Sequence, residues 1–571
     1  MTHLVDDPKE FAADSLKGMV AANSSYMQHV HGGVVRATTS PEGQVAVVVG
    51  GGSGHYPAFA GWVGPGMAHG SVCGNIFASP SASQVISVSR NAENGGGVLL
   101  LFGNYAGDCL HFGTAAEELI EKGISTEIVT ISDDIASNSP DKHQDRRGIA
   151  GDLFVAKIAG AAAARGWDLA KVTASARNAN ERSRSLGVAF GGCTLPGASE
   201  PLFEVEKGTY SLGLGIHGEP GLSSHPLEGA REIAERLVDG VLAEEPERSD
   251  SYGGRIAVLV NGLGATKYEE MFVLYGHIAE LLEERGLEIV APIVDEQVTS
   301  LDMAGVSLSL MFLDEELESL WLAPADTPAF RTGTVEDTGE RRVLSAANLE
   351  EQQIAEGSAE SRAQAETLLA GLNAMAQATI EAEESLGKLD SIAGDGDHGQ
   401  GMTLGATAAA RGGVEALKAG AGTASLIRVA GDAWAEGAGG TSGGYWGAAL
   451  RATAVELSDE TEVSAEQIGR AVVAGVRSFR TPEGAQVGDK TMVDATEPFA
   501  DTLEAHLDRG ESLADAWRAA VDAADTAAEG TANLVAKRGR ARTHGEKSLG
   551  HPDPGAISFV IVMRAVLDNA F

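Results

Sequence analysis

From residue 359 onward the chain is a succession of alanine-rich helical runs, and this constrains the fold more than any other feature. The runs are 359–386, 402–419, 421–435, 445–457, 464–481, 489–509, 513–534 and 556–567. Apolar residues recur in them at helical spacing and few strand signals intervene, so an all-α bundle or barrel is predicted. The part before it reads differently. Apolar runs at 44–49, 98–102 and 127–131 lead into GGGSGHYP, GNYAGD and SDD, with helical stretches at 83–94 and 113–122 between them. Strand, glycine turn, helix, strand is the rhythm of an α/β domain with a largely parallel sheet. Strand patterns return at 253–262, 287–294 and 305–312, which predicts a second α/β subdomain ending near Pro328. The expected architecture is an α/β N-terminal domain of two subdomains over 1–330, a polar linker over 331–357 and an all-α domain over 358–571. A chain of 571 residues is too long for one core, in keeping with that division.

Charge and cysteine content exclude several roles. The formal net charge is −39 and no Lys/Arg-rich run appears, so a nucleic-acid backbone would be repelled. Cys73, Cys109 and Cys193 form no CxxC pair, as expected of isolated thiols in a reducing compartment. The N-terminal MTHLVDDPKEFAADSL lacks the basic start and apolar run of a signal peptide. No apolar stretch reaches the roughly 18 residues a membrane span needs. A cytoplasmic location, without membrane or nucleic-acid partners, is expected.

The loops carry the chemistry. SIAGDGDHGQGM at 391–402, with Asp390 just before it, places Asp390, Asp395 and Asp397 within eight residues. Its glycines disfavour helix and strand alike, so a tight loop gathers three mutually repelling carboxylates. A hard, oxygen-seeking cation such as Mg²⁺, shared with phosphate groups, relieves that repulsion. The alternatives are an acidic surface turn or a calcium loop, and the latter lacks its terminal Glu. GAGGTSGG at 437–444 opens into the helix expected at Tyr445, where glycine amides with Thr441 and Ser442 make a phosphate cradle. GAQVGDKTM at 484–492 and GHPDPGA at 550–556 are further loops of this kind. In the α/β part, ligands bind beyond the carboxyl ends of strands, where His55 and Asp108 fall. His217, in SLGLGIHGEPG at 211–221, reads either as a plain turn histidine or as a nucleophile or base at a strand end.

Together these motifs make the chain resemble the dihydroxyacetone kinase family, in the version that fuses a ketose-binding to an ATP-binding domain. The resemblance spans nearly the whole chain. It rests on GGGSGH (50–55), NYAGD (104–108), RRGIAG (146–151), GIHGEPG (215–221), TSLDMAG (299–305), LD (389–390) with GDGDHG (394–399), GGTSGG (439–444), GDKTM (488–492) and GHPDPGA. It implies an ATP- and Mg²⁺-dependent kinase that phosphorylates a terminal hydroxyl of a short-chain ketose. By the same resemblance, His217 holds the substrate carbonyl as a hemiaminal, Asp108 is the base and His55 its hydrogen-bonding partner. Gly52, Ser53 and Gly54 line the ketose beside His55 and Asp108. Asp390, Asp395 and Asp397 would hold two Mg²⁺ ions bridging the ATP phosphates. His398, Gly399, Gln400, Gly401, Thr441, Ser442, Gly484, Met492, Val493, Asp553, Pro554 and Gly555 would contact the nucleotide. A homodimer is expected.

The sequence departs from the family pattern near the ketose. Tyr56 stands where many members have Glu, Gly103 where many have Lys, and Ala106 where Thr is usual. These changes are expected to open the pocket and admit a four-carbon ketose such as erythrulose alongside dihydroxyacetone. Rival readings are a phosphocarrier-dependent relative, a lyase that forms cyclic FMN from FAD at the ATP site, and a non-catalytic ketose-sensing regulator.

Overall fold

The computed structural model describes residues 3–249, 251–334, 339–340, 342, 354, 356–392, 394–480, 484–538, 542 and 547–570. Two compact units emerge, Met1–Glu350 and Glu351–Phe571. Of the expected linker at 331–357, residues 335–338, 341, 343–353 and 355 lie outside the described residues, as do Ala393 and Thr481. Within that stretch Glu340 and Arg342 are docked on the first unit, where Thr39 N donates to Glu340 O (2.7 Å) and Arg342 N to Ala37 O (2.8 Å), whereas Gly357 N donates to Gly420 O (2.8 Å) in the second.

The first unit begins with helix α1 (Phe11–Ala22) and contains two sheets. The first sheet has six strands: β1 (Met27–Val30), β2 (Gly33–Arg36), β3 (Ala46–Ser53), β4 (Gly70–Ile76), β5 (Val98–Gly103) and β6 (Thr126–Ile131). Their order is β1-β2-β4-β3-β5-β6. Strands β4, β3, β5 and β6 run parallel, while β1–β2 and β2–β4 are antiparallel. The central strands β3 and β5 are buried on both faces, as their uninterrupted Val and Leu runs require. Val48, Val98 and Leu100 pack with α2 (Ala82–Ala92) and α3 (Ala106–Glu121). Val47, Val49, Leu99 and Leu101 belong to a cluster with Leu153, Phe154 and Val172 of α4 (Asp152–Ala164) and α5 (Leu169–Glu181). Helix α2 starts at a capping box in which Ser81 and Gln84 satisfy each other's backbone N–H groups.

The second sheet combines β7 (Ser183–Ala189), β8 (Thr209–Leu212), β9 (Ser223–Pro226), β10 (Arg255–Gly262), β11 (Glu288–Ile289), β12 (Ile293–Asp295) and β13 (Gly305–Phe312). Its path is β11-β10-β13-β7-β8-β9, and β12 pairs with β10. Only β11 and β12 run parallel to β10; the pairs β10–β13, β13–β7, β7–β8 and β8–β9 are antiparallel. The largely parallel character expected of the domain thus holds for four of the six strands of the first sheet and not for the second sheet. Strands β10 and β13 are covered on both faces, and that burial, not strand direction, produces their apolar runs. Helices α6 (Ala230–Leu242) and α7 (Tyr268–Glu284) cover one face. On the other, Ala257, Leu259 and Met311 join the cluster that contains α4, so one core links both sheets; α8 (Glu315–Trp321) closes it with Leu317, Leu320 and Trp321.

The second unit is all-helical: α9 (Ala359–Asp390), α10 (His398–Lys418), α11 (Thr423–Ala438), α12 (Gly440–Val455), α13 (Ala465–Arg477), α14 (Val493–Asp508), α15 (Leu513–Gly530) and α16 (Pro554–Ala570). Each packs on the next and α16 returns to α9, closing a barrel. Its alanine-rich core is filled by Trp434, Trp446, Phe499, Trp517 and Phe559, with the rings of Trp434 and Trp446 stacked at 4.8 Å. Helix α12 starts at Gly440, not at Tyr445 as expected, so Thr441 and Ser442 lie on its first turn. No helix among the described residues is long and apolar enough to cross a membrane.

Candidate active site

In the first unit, three segments bring chemistry from both sheets to one place. Strand β3 ends in the turn that carries His55. The β8–β9 hairpin loop carries His217. The segment between β12 and β13 ties the two together: Thr299 N donates to His55 O (3.2 Å), Leu301 N to Gly54 O (2.8 Å), and Ser300 Oγ to Ile216 O. Gly54 has φ +104°, which favours glycine at this turn. The His55 and His217 Nε2 atoms lie 3.1 Å apart. Both rings pack on Phe77, that of His55 stacked and that of His217 edge-on, and Tyr105 meets His217 edge-on as well.

Each histidine is oriented from behind. Thr299 O can only accept, so His55 Nδ1, 2.7 Å away, carries hydrogen. Burial, followed by the charge of His217, pushes His55 down to about 3. It is therefore neutral, and its Nε2 is the acceptor of the His55–His217 pair. His217 Nδ1 lies 3.2 Å from Glu219 Oε1, and the His217 backbone N–H donates to Glu219 Oε2 (3.0 Å). Behind Glu219, Arg147 stands 3.7 Å from Oε2 and donates to Asp134 Oδ2 from Nε (3.0 Å) and Nη2 (2.8 Å). Burial alone would raise the Glu219 carboxyl; Arg147 and His217 outweigh it and hold it well below the usual range. Asp134–Arg147–Glu219 is thus a buried string of alternating charge that ends on the His217 ring.

Asp108 lies on the first turn of α3, not in the loop before it, and accepts from Ser79 Oγ at 2.7 Å. The His55 ring nitrogens reach Thr299 O and His217 Nε2. Ser53 Oγ donates to Gly74 O (2.6 Å), and a Cβ on Gly52 would crowd the backbone of Phe77 and Ala78. The space beside Gly103 is not open. A Cβ there would stand 3.1 Å from Tyr105 Cε2 and 3.3 Å from Gly148 O. The ring of Tyr105, whose hydroxyl donates to Gly148 O (3.1 Å), occupies the place where a larger wall was expected to be missing. Tyr56 is largely exposed.

The depressed His55 has a consequence for stability. In the unfolded chain it titrates near the ordinary histidine value of about 6.5. Between pH 6.5 and 3 the unfolded state therefore binds a proton that the folded state does not. Stability consequently rises with pH across that window and falls on acidification below about 6.5. Melting temperatures from pH 7.5 to 5 should decline in the wild type, and His55→Gln should flatten that decline by up to about 1.4 kcal/mol per pH unit. Parallel slopes for the two proteins would contradict this.

In the second unit, the end of α9 and the start of α10 bring Asp390, Asp395 and Asp397 together, with ligand oxygens within 4.8 Å of one another. Gly396 N donates to Asp390 Oδ2 (2.8 Å) and holds the loop shut. Burial, then Asp390, pushes Asp397 up to about 7. Three such carboxylates resist joint ionisation, and the oxygen-only donor set fits Mg²⁺. His398 Nε2 reaches Ser558 Oγ on α16 at 2.8 Å. Asp553, immediately before α16, accepts from Ala556 N (2.8 Å); burial is the main cause that pushes it up to about 7. A Cβ on Gly555 would stand 3.3 Å from Met492 Cβ, so the GDKTM and DPGA segments adjoin. Val493 begins α14, and Pro554 begins α16. Gly399 instead faces α9, where a Cβ would stand 2.0 Å from Glu383 O. Gln400 and Gly401 continue the first turn of α10, with open space around Gly401. Thr441 is exposed and Ser442 half-buried, and Gly484 borders residues 481–483, which lie outside the described set.

Sequence reasoning assigned no role to Glu219, Arg147, Asp134 or Lys490. Buried Lys490 donates from Nζ to Leu534 O (3.1 Å) and Ser548 O, tying its loop to the chain ahead of α16. The available signal was membership of the GIHGEPG, RRGIAG and GDKTM motifs for Glu219, Arg147 and Lys490, and of SDD for Asp134.

Comparison with known proteins places this geometry. Residues 17–329 match the Dak1 domain model and 392–568 the DAK2 domain model. The L-erythrulose 1-kinase of Mycolicibacterium smegmatis is 54% identical over 99% of each chain. The D-erythrulose kinase of the same organism is 50% identical over 100% of this chain and 98% of its own. The crystal structure of dihydroxyacetone kinase from C. freundii with AMP-PNP and Mg²⁺ is 29% identical, covers 99% of each chain and superposes with a TM-score of 0.53. With both domain models matched in order and relatives of this identity along its whole length, the chain belongs to the dihydroxyacetone kinase family.

Proposed function

We propose that the protein is an ATP- and Mg²⁺-dependent kinase that phosphorylates a terminal hydroxyl of erythrulose, with dihydroxyacetone as a second substrate. The observation that carries this reading is whole-chain identity of 50% or more to kinases named for erythrulose. The geometry supplies matching chemistry. His217 Nε2–H faces the bare Nε2 of His55. As His217 Nε2 adds to the ketose carbonyl carbon, His55 takes that proton and returns it to the carbonyl oxygen, so the hemiaminal keeps the charge the His217 ring had before the addition. Glu219 keeps the opposite edge of the His217 ring fixed during the addition. Asp108 then takes the proton of the terminal hydroxyl as that oxygen attacks the γ-phosphoryl group, and ADP leaves.

In the second unit, Asp390, Asp395 and Asp397 would hold Mg²⁺, with the segments around His398, Met492 and Asp553 beside the nucleotide. Bound Mg²⁺ neutralises the triphosphate and the charge that develops on the transferring group. The homodimer implied by the resemblance is read separately by light scattering.

Steady-state assays with ATP, Mg²⁺ and each ketose test the reading. Erythrulose should be phosphorylated at least as efficiently as dihydroxyacetone, judged by kcat/KM. One added carbon discriminates by only about 1–3 kcal/mol, so a preference is expected, not exclusivity. A preference for dihydroxyacetone of about a hundredfold would overturn the tetrulose assignment.

A further inference from the structure

The string behind His217 is assembled from both sheets of the first unit. Asp134 follows β6, Arg147 lies in the RRGIAG turn ahead of α4, and Glu219 sits in the β8–β9 loop with His217. Arg147 is fixed at both ends. Its backbone N–H donates to Ser137 Oγ (3.0 Å), its carbonyl accepts from Asp134 N (3.1 Å), and Nε and Nη2 both donate to Asp134 Oδ2. Nη1 is left over. It is sealed from solvent, has no hydrogen-bond partner among the described residues, and stands 3.7 Å from Glu219 Oε2. A buried donor kept in this way is costly and calls for a reason.

Gly215 shows that the approach of cation to carboxylate is built in. A Cβ there would stand 2.2 Å from Glu219 Oε2 and 2.7 Å from Arg147 Nη1, so only a glycine lets the two groups come together. Both oxygens of Glu219 then face His217: Oε2 accepts from its backbone N–H and Oε1 lies against its Nδ1. A carboxylate can only accept, so His217 Nδ1 carries hydrogen. That decides the chemistry of the other nitrogen. With hydrogen on Nδ1, the ring frees its Nε2 lone pair by giving one proton to His55. Bare at Nδ1, it would have to surrender its last N–H and become an imidazolide, for which a histidine is far too weak a base.

We propose that Arg147 is a positioning residue of the ketose anchor: acting through Glu219, its guanidinium keeps hydrogen on His217 Nδ1 and so makes Nε2 the nucleophilic nitrogen. This rests on the ketose-kinase reading above. Burial pushes the Glu219 carboxyl up, and Arg147 is the largest influence opposing it, ahead of His217. Without the guanidinium, Glu219 becomes a neutral acid that donates to Nδ1 and leaves hydrogen on Nε2. The other groups that bear on Glu219 are Asp134, Tyr105 and Cys193, with His55 beyond His217. Burial pushes Tyr105 well up and Cys193 up to about 11, and it pushes His55 down to about 3. None of these three titrates near neutral pH.

The test removes the Asp134–Arg147 pair as a unit, so that Asp134 is not stranded. The full chain with ATP and Mg²⁺ is assayed across about pH 6 to 9. In Asp134→Asn/Arg147→Met, kcat/KM for erythrulose should fall about hundredfold or more at neutral pH, with KM for ATP unchanged. It should recover as rising pH ionises Glu219, a recovery absent from the wild type and abolished by adding Glu219→Gln. Activity lowered by the same factor at every pH overturns the proposal. So does a recovery that survives Glu219→Gln, or a double variant as active as the wild type. Should the double variant fail to fold, Arg147→Lys decides. An ammonium cannot reproduce the fork, so its erythrulose profile should shift to higher pH, and an unshifted profile overturns the proposal. Should the wild type phosphorylate no ketose, the kinase reading fails by itself. Nitrogen NMR of the His217 ring then reads the effect of Arg147 without turnover: hydrogen on Nδ1 in the wild type and not in the double variant supports the proposal, and an unchanged Nδ1 overturns it.

Discussion

Asp395→Asn and Asp397→Asn should each lower kcat by about a thousandfold or more, with ketose affinity unchanged. The three carboxylates of this loop converge within 4.8 Å, and an amide in place of either removes charge that holds the metal without removing volume. Phosphoryl transfer relies on positioning and charge neutralisation, so losing that neutralisation removes several kcal/mol from the transition state. A second readout separates this from misfolding. Without metal, Asn relieves repulsion within the trio, so the melting temperature should hold or rise. Added Mg²⁺ should raise the melting temperature of the wild type through binding linkage and that of the variants far less. Turnover within about tenfold of wild type in both variants would defeat the metal assignment.

His217→Ala should raise the apparent KM for the ketose about a hundredfold or more and relax discrimination against glycerol-like polyols. The magnitude is the discriminating part. One neutral hydrogen bond contributes about 0.5–1.5 kcal/mol, roughly a tenfold effect, whereas a covalent hold is worth more. Mass spectrometry after trapping should place a ketose adduct on the peptide carrying His217. The fold should survive, because Glu219 keeps Arg147 and the backbone N–H at position 217. Wild-type behaviour of His217→Ala towards ketone and polyol alike would end the hemiaminal reading.

The helical unit was legible because Ala and Leu recur at helical spacing in every run, and all eight expected runs correspond to helices α9 to α16. The start of α12 was misplaced because glycine has low helix propensity. Packing overrode that propensity: a Cβ on Gly447 would stand 2.7 Å from Ala435 Cβ, so glycine allows α11 and α12 to approach closely. Strand direction in the second sheet was illegible because β13, paired antiparallel on both sides, is as apolar as a parallel strand. His55, His217 and the aspartate trio stood out through local motifs. The string behind His217 did not, since Asp134, Arg147 and Glu219 meet only in the folded chain. Asp152 drew no role from the sequence, and only three dimensions show that its Oδ1 lacks a partner among the described residues.

The two sides of the ketose site differ in how freely they can be altered. Behind His217, each member of the Asp134–Arg147–Glu219 string balances the next, and removing one strands a buried charge. Evolution or engineering that begins there damages the anchor before it changes the preference. On the opposite side Gly148 is hemmed in by backbone, since a Cβ there would stand 2.6 Å from Gly103 Cα and 2.7 Å from Ile131 O, whereas a Cβ at Gly103 meets the Tyr105 ring at 3.1 Å. New sugar acceptors for this scaffold are therefore best sought by varying position 103 together with Tyr105, while leaving Gly148 and the histidine side fixed.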